Sequence, residues 1–385
     1  DGTSQAAPHV TGIVALMLQK FRELTGLGLD VKTLRNSTSK ALLIHTATDM
    51  IDTVGDSIQG NPDIDSTEAD GKSHYVRYYA GPDFATGWGK VNGKKALDYV
   101  DTNFFREETV AYSEDLEWTI HVPSTQQHLR ATIAWDDAPV YLTDYESSYL
   151  DSKLVNDIDL ALISPSGELY YPWRLDPLPV GASTGSGTSW RSSGIEPIQE
   201  TDIVPAHRSC SSSDTLDISC FDHRNNVEVV DVDSPEDGDW KILVRGYRVV
   251  QGNSTDSSSQ WVSIVCDDTL GAPKRGNSHP YAANQDTKFT YSLGNSLVSQ
   301  VTFSDSTYLG TGDTIKIYDG SGKLVGVYTG DELQGKTLEI VGSTVTVELI
   351  SDGGENDSYG FSISSITGVP FSILPLMWEA TKKVK

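Results

Sequence analysis

Cysteine is scarce in this chain: Cys210, Cys220 and Cys266 are the only three among 385 residues. So few cannot build the dense cross-linking that small secreted scaffolds rely on. Cys210 and Cys220 bracket a Ser- and Asp-rich loop that closes readily as one bridge, leaving Cys266 free, although a set of unpaired thiols fits the sequence equally well. Long apolar runs are missing too. No stretch approaches the roughly 20 apolar residues of a membrane-spanning helix, and the run at 369–378 is short and interrupted by Pro370 and Pro375. Basic residues are few: 29 Lys and Arg stand against 54 Asp and Glu, a formal net charge of −25. That deficit argues against nucleic acid and anionic membrane as partners. It leaves solubility as one reading of the acidity, and calcium binding in a saline, extracellular setting as another. A length of 385 residues exceeds one ordinary core and predicts two to four domains.

What is present begins at the second residue, with Gly2-Thr3-Ser4-Gln5-Ala6-Ala7-Pro8-His9-Val10-Thr11-Gly12. A serine hydroxyl is a poor nucleophile, and it becomes useful when exposed beside a base and beside donors for a developing oxyanion. The first turn of a helix offers such donors, because its N–H groups lack intrahelical partners and the positive end of the dipole lies there. Gly2, Ala6 and Ala7 leave room for a substrate, and Pro8 is tolerated in a first turn. Val10, Ile13, Val14, Met17, Leu18 and Phe21 then recur at helical spacing, with Ala15 and Leu16 filling the other side, which predicts a core helix buried nearly all round. On local signals alone Thr3-Ser4 also reads as a helix cap before an apolar run.

The eleven-residue string resembles the G-T-S-x-A-x-P-x-V-x-G segment around the nucleophilic serine of subtilisin-like serine proteases. Phe84-Ala85-Thr86-Gly87-Trp88-Gly89-Lys90-Val91-Asn92, followed by Ala96-Leu97, resembles the segment that closes their catalytic domain. The resemblance implies that Ser4 is the acyl-forming nucleophile of an α/β catalytic domain, of which residues 1–105 are the C-terminal part. It also implies an upstream histidine, aspartate and oxyanion asparagine. None of the eight histidines is followed by glycine, and neither Asp-Ser-Gly nor Asp-Thr-Gly occurs. His9 lies five residues from Ser4, a helical rotation of about 140°, which predicts a packed helix histidine rather than a base. The chain is therefore expected to be a fragment of a longer product that begins mid-domain and is inactive by itself. Without the central sheet its first helix is expected to be exposed. Two more helices are expected, at 32–46 and 94–99, separated by an acidic surface insertion at 49–71 that reads as a solvated loop or, alternatively, a calcium loop.

From 108 to 268 short runs of strand period, such as 117–122 and 129–135, alternate with turn clusters and predict a β-sandwich or jelly roll. Val155-Asn156-Asp157-Ile158-Asp159-Leu160, then Ser164-Pro165-Ser166-Gly167, together with Asp222-His223-Arg224-Asn225-Asn226-Val227-Glu228, resembles sandwich domains that follow the catalytic domain in some secreted subtilases. Asp157 and Asp159 share one strand face, close enough to Asn225 or Asn226 for calcium ligation, or for ordinary Asx hydrogen bonds to loop backbone. From 275 to 368 the strings Asp313-Thr314-Ile315-Lys316-Ile317-Tyr318-Asp319-Gly320, Val345-Thr346-Val347-Glu348-Leu349, Ser351-Asp352-Gly353 and Gly360-Phe361-Ser362-Ile363 resemble a CUB domain, here without cysteine. Asp305, Asp313 and Asp352 occupy places comparable to the ligands of calcium-binding CUB domains, or cap turns. Residues 369–385 form a tail without a module signature.

The expected architecture is thus multidomain: a C-terminal piece of an α/β subtilisin-like catalytic domain, an all-β jelly roll, then a CUB-like sandwich. The family resemblance implies a secreted serine endopeptidase acting on protein or peptide substrates, needing no cofactor for chemistry beyond a structural calcium. The alternative is a non-catalytic extracellular protein whose two β-modules bind protein or glycan ligands in a calcium-dependent way.

Overall fold

The structure is a computed structural model, and it describes residues 2–25, 34–50, 81–82, 86–102, 104–139, 152–174, 220–250, 259–294, 296–354 and 358–370. The 49–71 insertion beyond residue 50 and the tail beyond residue 370 lie outside them. Three helices come first: α1 (Thr3–Thr25), α2 (Asn36–His45) and α3 (Gly93–Thr102). Every later element among the described residues is a strand. The first group is β1 (Phe105–Ala111), β2 (Glu114–Val122), β3 (His128–Trp135), β4 (Asp157–Ile163), β5 (Leu169–Tyr170), β6 (Val227–Asp233), β7 (Gly238–Arg248) and β8 (Ser259–Cys266). The second is β9 (Lys274–Asn277), β10 (Asp286–Ser292), β11 (Ser296–Phe303), β12 (Thr314–Tyr318), β13 (Leu324–Tyr328), β14 (Thr337–Val341), β15 (Thr344–Ile350) and β16 (Ser362–Pro370).

Period-two patterning builds the first sandwich. Along β2, Leu116, Trp118, Ile120 and Val122 are buried while Thr119 and His121 face solvent. These side chains meet Leu129, Ile133, Trp135, Ile158, Leu160, Trp240, Val262 and Ile264 in one core between the sheet β1-β8-β3-β6 and the run β2-β7-β4-β5. β4 is buried on both faces. Ile158, Leu160 and Leu162 enter that core, whereas Ala161 on the opposite face packs with Tyr171, Phe221 and Leu243. Asp157 and Asp159 share the phase of Ala161 and are buried under the same covering segment. Cys220, at the start of that segment, is disulfide-bonded, and Cys266 is buried and free; the one other cysteine in the sequence, Cys210, lies outside the described residues.

The second sandwich encloses Phe289, Tyr291, Val301, Phe303, Ile315, Ile317, Val345, Val347, Leu349 and Phe361 between the sheet β10-β15-β12-β13 and the run β14-β11-β16. The two sandwiches are not separated by a free linker. β9, which the sequence reading placed at a module boundary, pairs with β2 through Glu114↔Asn277 to Glu117↔Lys274 and with β16 through Ser362↔Gly276 and Ile363↔Arg275. One eight-stranded sheet, β14-β11-β16-β9-β2-β7-β4-β5, therefore runs through both. Arg275 reinforces the junction from β9, with Nη2 2.6 Å from Glu108 Oε2 and Nη1 3.2 Å from Glu114 Oε1.

Gly276 makes this junction sterically feasible, since a Cβ there would sit 2.2 Å from the Phe361 carbonyl oxygen. A Gly276→Val substitution is expected to pry β16 from β9 and to destabilise the protein by more than about 2 kcal/mol. Calorimetry of the wild type should give one transition for both sandwiches, and two well-separated endotherms would refute the coupling.

Candidate functional site

Ser4 occupies the first turn of α1, exposed, with Gln5 N and Ala6 N donating to Gly2 O at 3.0 and 3.2 Å. Pro8 is not in that first turn: it is the sixth residue of the helix, so the Ser4 carbonyl loses its i+4 donor there. The helix is not buried all round either. Met17 is fully buried, with Ile13, Leu18 and Phe21 packed beside it against α3 and Phe105, but Leu16 is 51% and Leu24 49% exposed. Among the described residues α1 packs chiefly on α3, which covers one stripe of it. His9 is exposed and its Nδ1 lies 2.8 Å from Gln5 O, which corrects the expectation of a packed side chain.

Among the described residues nothing hydrogen-bonds the Ser4 hydroxyl. The other described histidines are committed elsewhere: His121 to Asp239, His128 to Asp231, His223 to Asp157 and Asp159, His279 to the Tyr359 carbonyl and His45 to Thr132 and Asp267. His74 and His207 lie outside the described residues. The second family-like segment is ordered around Gly89, whose φ of +98° and 2.3 Å clearance from the Thr48 carbonyl admit no side chain. It is tied back by the Thr48↔Lys90 bridge.

The helices are locked to the first sandwich by polar contacts along α2. Ser37 and Thr38 each reach Ser263 Oγ at 2.8 Å, Lys40 Nζ donates to Asn226 Oδ1 at 2.6 Å, and Arg35 stacks 3.6 Å from the Trp261 ring centre. At the end of α2 a denser network forms. Asp267 accepts from His45 Nε2 at 3.3 Å, from Tyr99 Oη and from Arg130 N at 2.7 Å. Because a carboxylate only accepts, Nε2 carries the proton and Nδ1 accepts from the Thr132 hydroxyl at 3.0 Å. Arg130 joins Asp231 through Nε at 2.5 Å and Nη2 at 3.1 Å, and donates to the His45 carbonyl at 3.0 Å. Trp173 Nε1 also donates to Asp231, at 2.8 Å.

Burial pushes the His45 pKa down, so the imidazole is neutral and acts on Asp267 as a hydrogen-bond donor, not as a charge. Burial alone would raise Asp267 and Asp231. The hydrogen bonds of His45, Tyr99 and Arg130 N to Asp267, and those of His128, Arg130 and Trp173 to Asp231, outweigh it and hold both well below the usual carboxylate range.

A second charged cluster lies under the 220–228 segment. Asp157 and Asp159 come together with His223, whose Nδ1 is 3.0 Å from Asp157 Oδ2 and 3.7 Å from Asp159 Oδ1. Asn225, expected to complete this site, instead donates its amide to Asp222 Oδ2 at 2.7 Å, and Asn226 donates to the Trp135 carbonyl at 2.7 Å. Burial raises the Asp159 pKa to about 8, helped by the Asp157 charge and opposed by His223 and Arg245. Glu228 and Asp222 beside it are raised by burial as well. In the motif Asn-Asp-Ile-Asp the asparagine is structural: Asn156 donates to Gln260 at 2.7 Å and accepts from Val250 N at 3.0 Å. The signal for His223 is present in Asp222-His223-Arg224-Asn225-Asn226, where it is the only imidazole and stands two residues from the first of two amides with the same ligating capacity.

Asp305, Asp313 and Asp352 do not form a comparable group among the described residues. Asp313 is buried, accepting from Tyr281 Oη at 2.5 Å and from Asp352 N at 2.8 Å. Asp352 is exposed and caps Gly354 N at 2.8 Å, and Asp305, also exposed, accepts from Gln334 through its main-chain carbonyl.

A sequence model described as the subtilase family matches residues 1–89. A search of curated proteins returned no match. Among solved structures, similarity is found to the CUB1-EGF-CUB2 domain of human MASP-1/3, at 13% identity and a TM-score of 0.21, covering 69% of this chain and 100% of that one. The corresponding domains of rat MASP-1 match at 13% identity and 0.21, covering 68% and 98%.

The His45 network sets a pH dependence. A neutral buried imidazole contributes stability above the unfolded pKa of about 6.5 and loses it as pH falls below that value. The depressed Asp231 and Asp267 contribute stability above about pH 3.9 and lose it in stronger acid. Urea midpoints at pH 7, 6 and 5 should therefore fall more steeply for the wild type than for a His45→Gln variant that starts less stable; equal slopes would show that His45 is not buried neutral.

Proposed function

We propose that this chain is the C-terminal part of a secreted serine endopeptidase of the subtilisin type, with Ser4 as the nucleophile. The observation that carries this reading is the family match over residues 1–89 together with an exposed serine in the first turn of a helix. On this reading the Ser4 hydroxyl attacks the scissile carbonyl of a protein substrate, and its proton passes to a histidine supplied by the rest of the catalytic unit. Its own backbone N–H, free at a helix N-terminus, helps hold the oxyanion with an asparagine also supplied from outside this chain. The exposed face around Leu16 and Leu24 is where the remainder of that unit packs. The two sandwiches brace the helices through the α2 contacts.

An active-site phosphonate probe discriminates the reading. The 385-residue chain by itself should remain unlabelled, whereas the longer product carrying the missing histidine and aspartate should label at Ser4 and cleave protein. Ser4→Ala in that product is expected to lower kcat by at least about 10⁴-fold. Peptide hydrolysis unaffected by the substitution would sink the assignment. Retention of the sandwiches' ligand binding in a protein with no hydrolysis at all would favour the binding-protein alternative.

A further inference from the structure

We propose that Asp157, Asp159 and His223 bind one divalent transition-metal ion of the zinc class inside the first sandwich. This stands independently of the protease reading. One ligand atom from each residue lies within 4.8 Å of the others. With metal–ligand bonds of about 2.0–2.1 Å, neighbouring donors of a tetrahedral ion are about 3.3 Å apart, and the observed separations from Nδ1 of 3.0 and 3.7 Å bracket that value.

Hydrogen bonding singles out these carboxylates from their acidic neighbours. Glu228 is occupied at both oxygens, accepting from Leu160 N at 2.6 Å and Asp222 N at 3.1 Å. Asp222 accepts from Arg224 N at 2.9 Å and from Asn225 at 2.7 Å. By contrast Asp157 Oδ1 and Asp159 Oδ1 are buried and accept no hydrogen bond from any described residue. Leaving buried carboxylate oxygens unpaired is costly unless a proton or a cation neutralises them. The Arg245 guanidinium does not, since it is spent on Asp115 through two bonds of 2.8 Å.

The donor chemistry selects the ion. Calcium requires six to eight oxygens, whereas two carboxylates and one imidazole suit zinc or manganese. Stacking on Tyr247, with ring centres 4.8 Å apart, fixes the His223 ring plane, and its 29% exposure gives the ion a path from solvent. Bound there, the ion ties the 220–228 segment to β4.

The test uses the full chain, stripped with chelator and titrated calorimetrically with zinc chloride and, separately, calcium chloride. One equivalent of zinc is expected to bind, with a higher melting midpoint. His223→Ala and Asp159→Asn should each weaken binding by more than the roughly 100-fold that loss of a supporting residue costs, while His121→Ala, at the exposed pair with Asp239, should change nothing. His223→Ala removes a partly exposed ring, and substitution by cobalt provides a second readout: the visible d–d absorption of the wild type should vanish in this variant. No zinc uptake, zinc uptake indifferent to both substitutions, or stabilisation by calcium alone would each overturn the proposal.

Discussion

The carboxylate of Asp267 is the point on which the union of helices and sandwich turns. It stands just past the end of β8, yet it accepts from α2 through His45, from α3 through Tyr99 and from the backbone of β3 through Arg130. Three donors from three elements converge on one partly buried anion, and each would be left unsatisfied by its loss. Buried carboxylates are tolerated only under such saturation. Arg130 extends the effect by pairing with Asp231, which in turn receives Trp173. The helical piece is therefore held by directional polar contacts as much as by its small apolar core, and this geometry leaves little freedom for the helices to reorient on the sandwich.

Those directional contacts also explain how the helical layer stays attached. α1 presents one apolar stripe to α3, and Leu16 and Leu24 on its other side are covered by no described element, so its burial among the described residues is modest. α2, by contrast, buries polar side chains beside the apolar Ala41 and Leu42: Ser37, Thr38, Ser39 and His45 are all buried. A polar buried face demands matching partners and is consequently specific for one docking position. The hydroxyls meet Ser263 and Glu107, and the imidazole meets Thr132.

Legibility differed by the kind of information each feature needs. The alternation in β2 and β3 is written in the chain itself, and both strands appear within a few residues of where period-two patterning puts them. The serine turn is equally local. For α1 apolar periodicity alone read as burial all round, because it states what a helix face prefers; the partial exposure found at Leu16 and Leu24 agrees with the expectation drawn from the resemblance and the missing sheet. β9 escaped for a different reason: Lys274-Arg275-Gly276-Asn277 shows no alternation, and its strand character comes from edges offered by β2 and β16. At the carboxylate cluster, the shared face of Asp157 and Asp159 follows from strand geometry, but the choice between His223 and Asn225 depends on the path of a loop, which residue types do not specify. For Asp305, Asp313 and Asp352 the CUB resemblance suggested calcium ligation, with turn-capping as the alternative; Asp313 accepts from Asp352 N and Asp352 caps Gly354 N.

The placement of β9 changes what it means to divide this molecule. Its backbone is hydrogen-bonded on both sides to strands of different sandwiches, so a nick in the peptide between Cys266 and Lys274 would leave the halves clasped. A recombinant cut made at the same place would do the opposite. It would uncover the Glu114–Glu117 stretch of β2 as a raw strand edge, able to recruit another molecule in place of its missing neighbour.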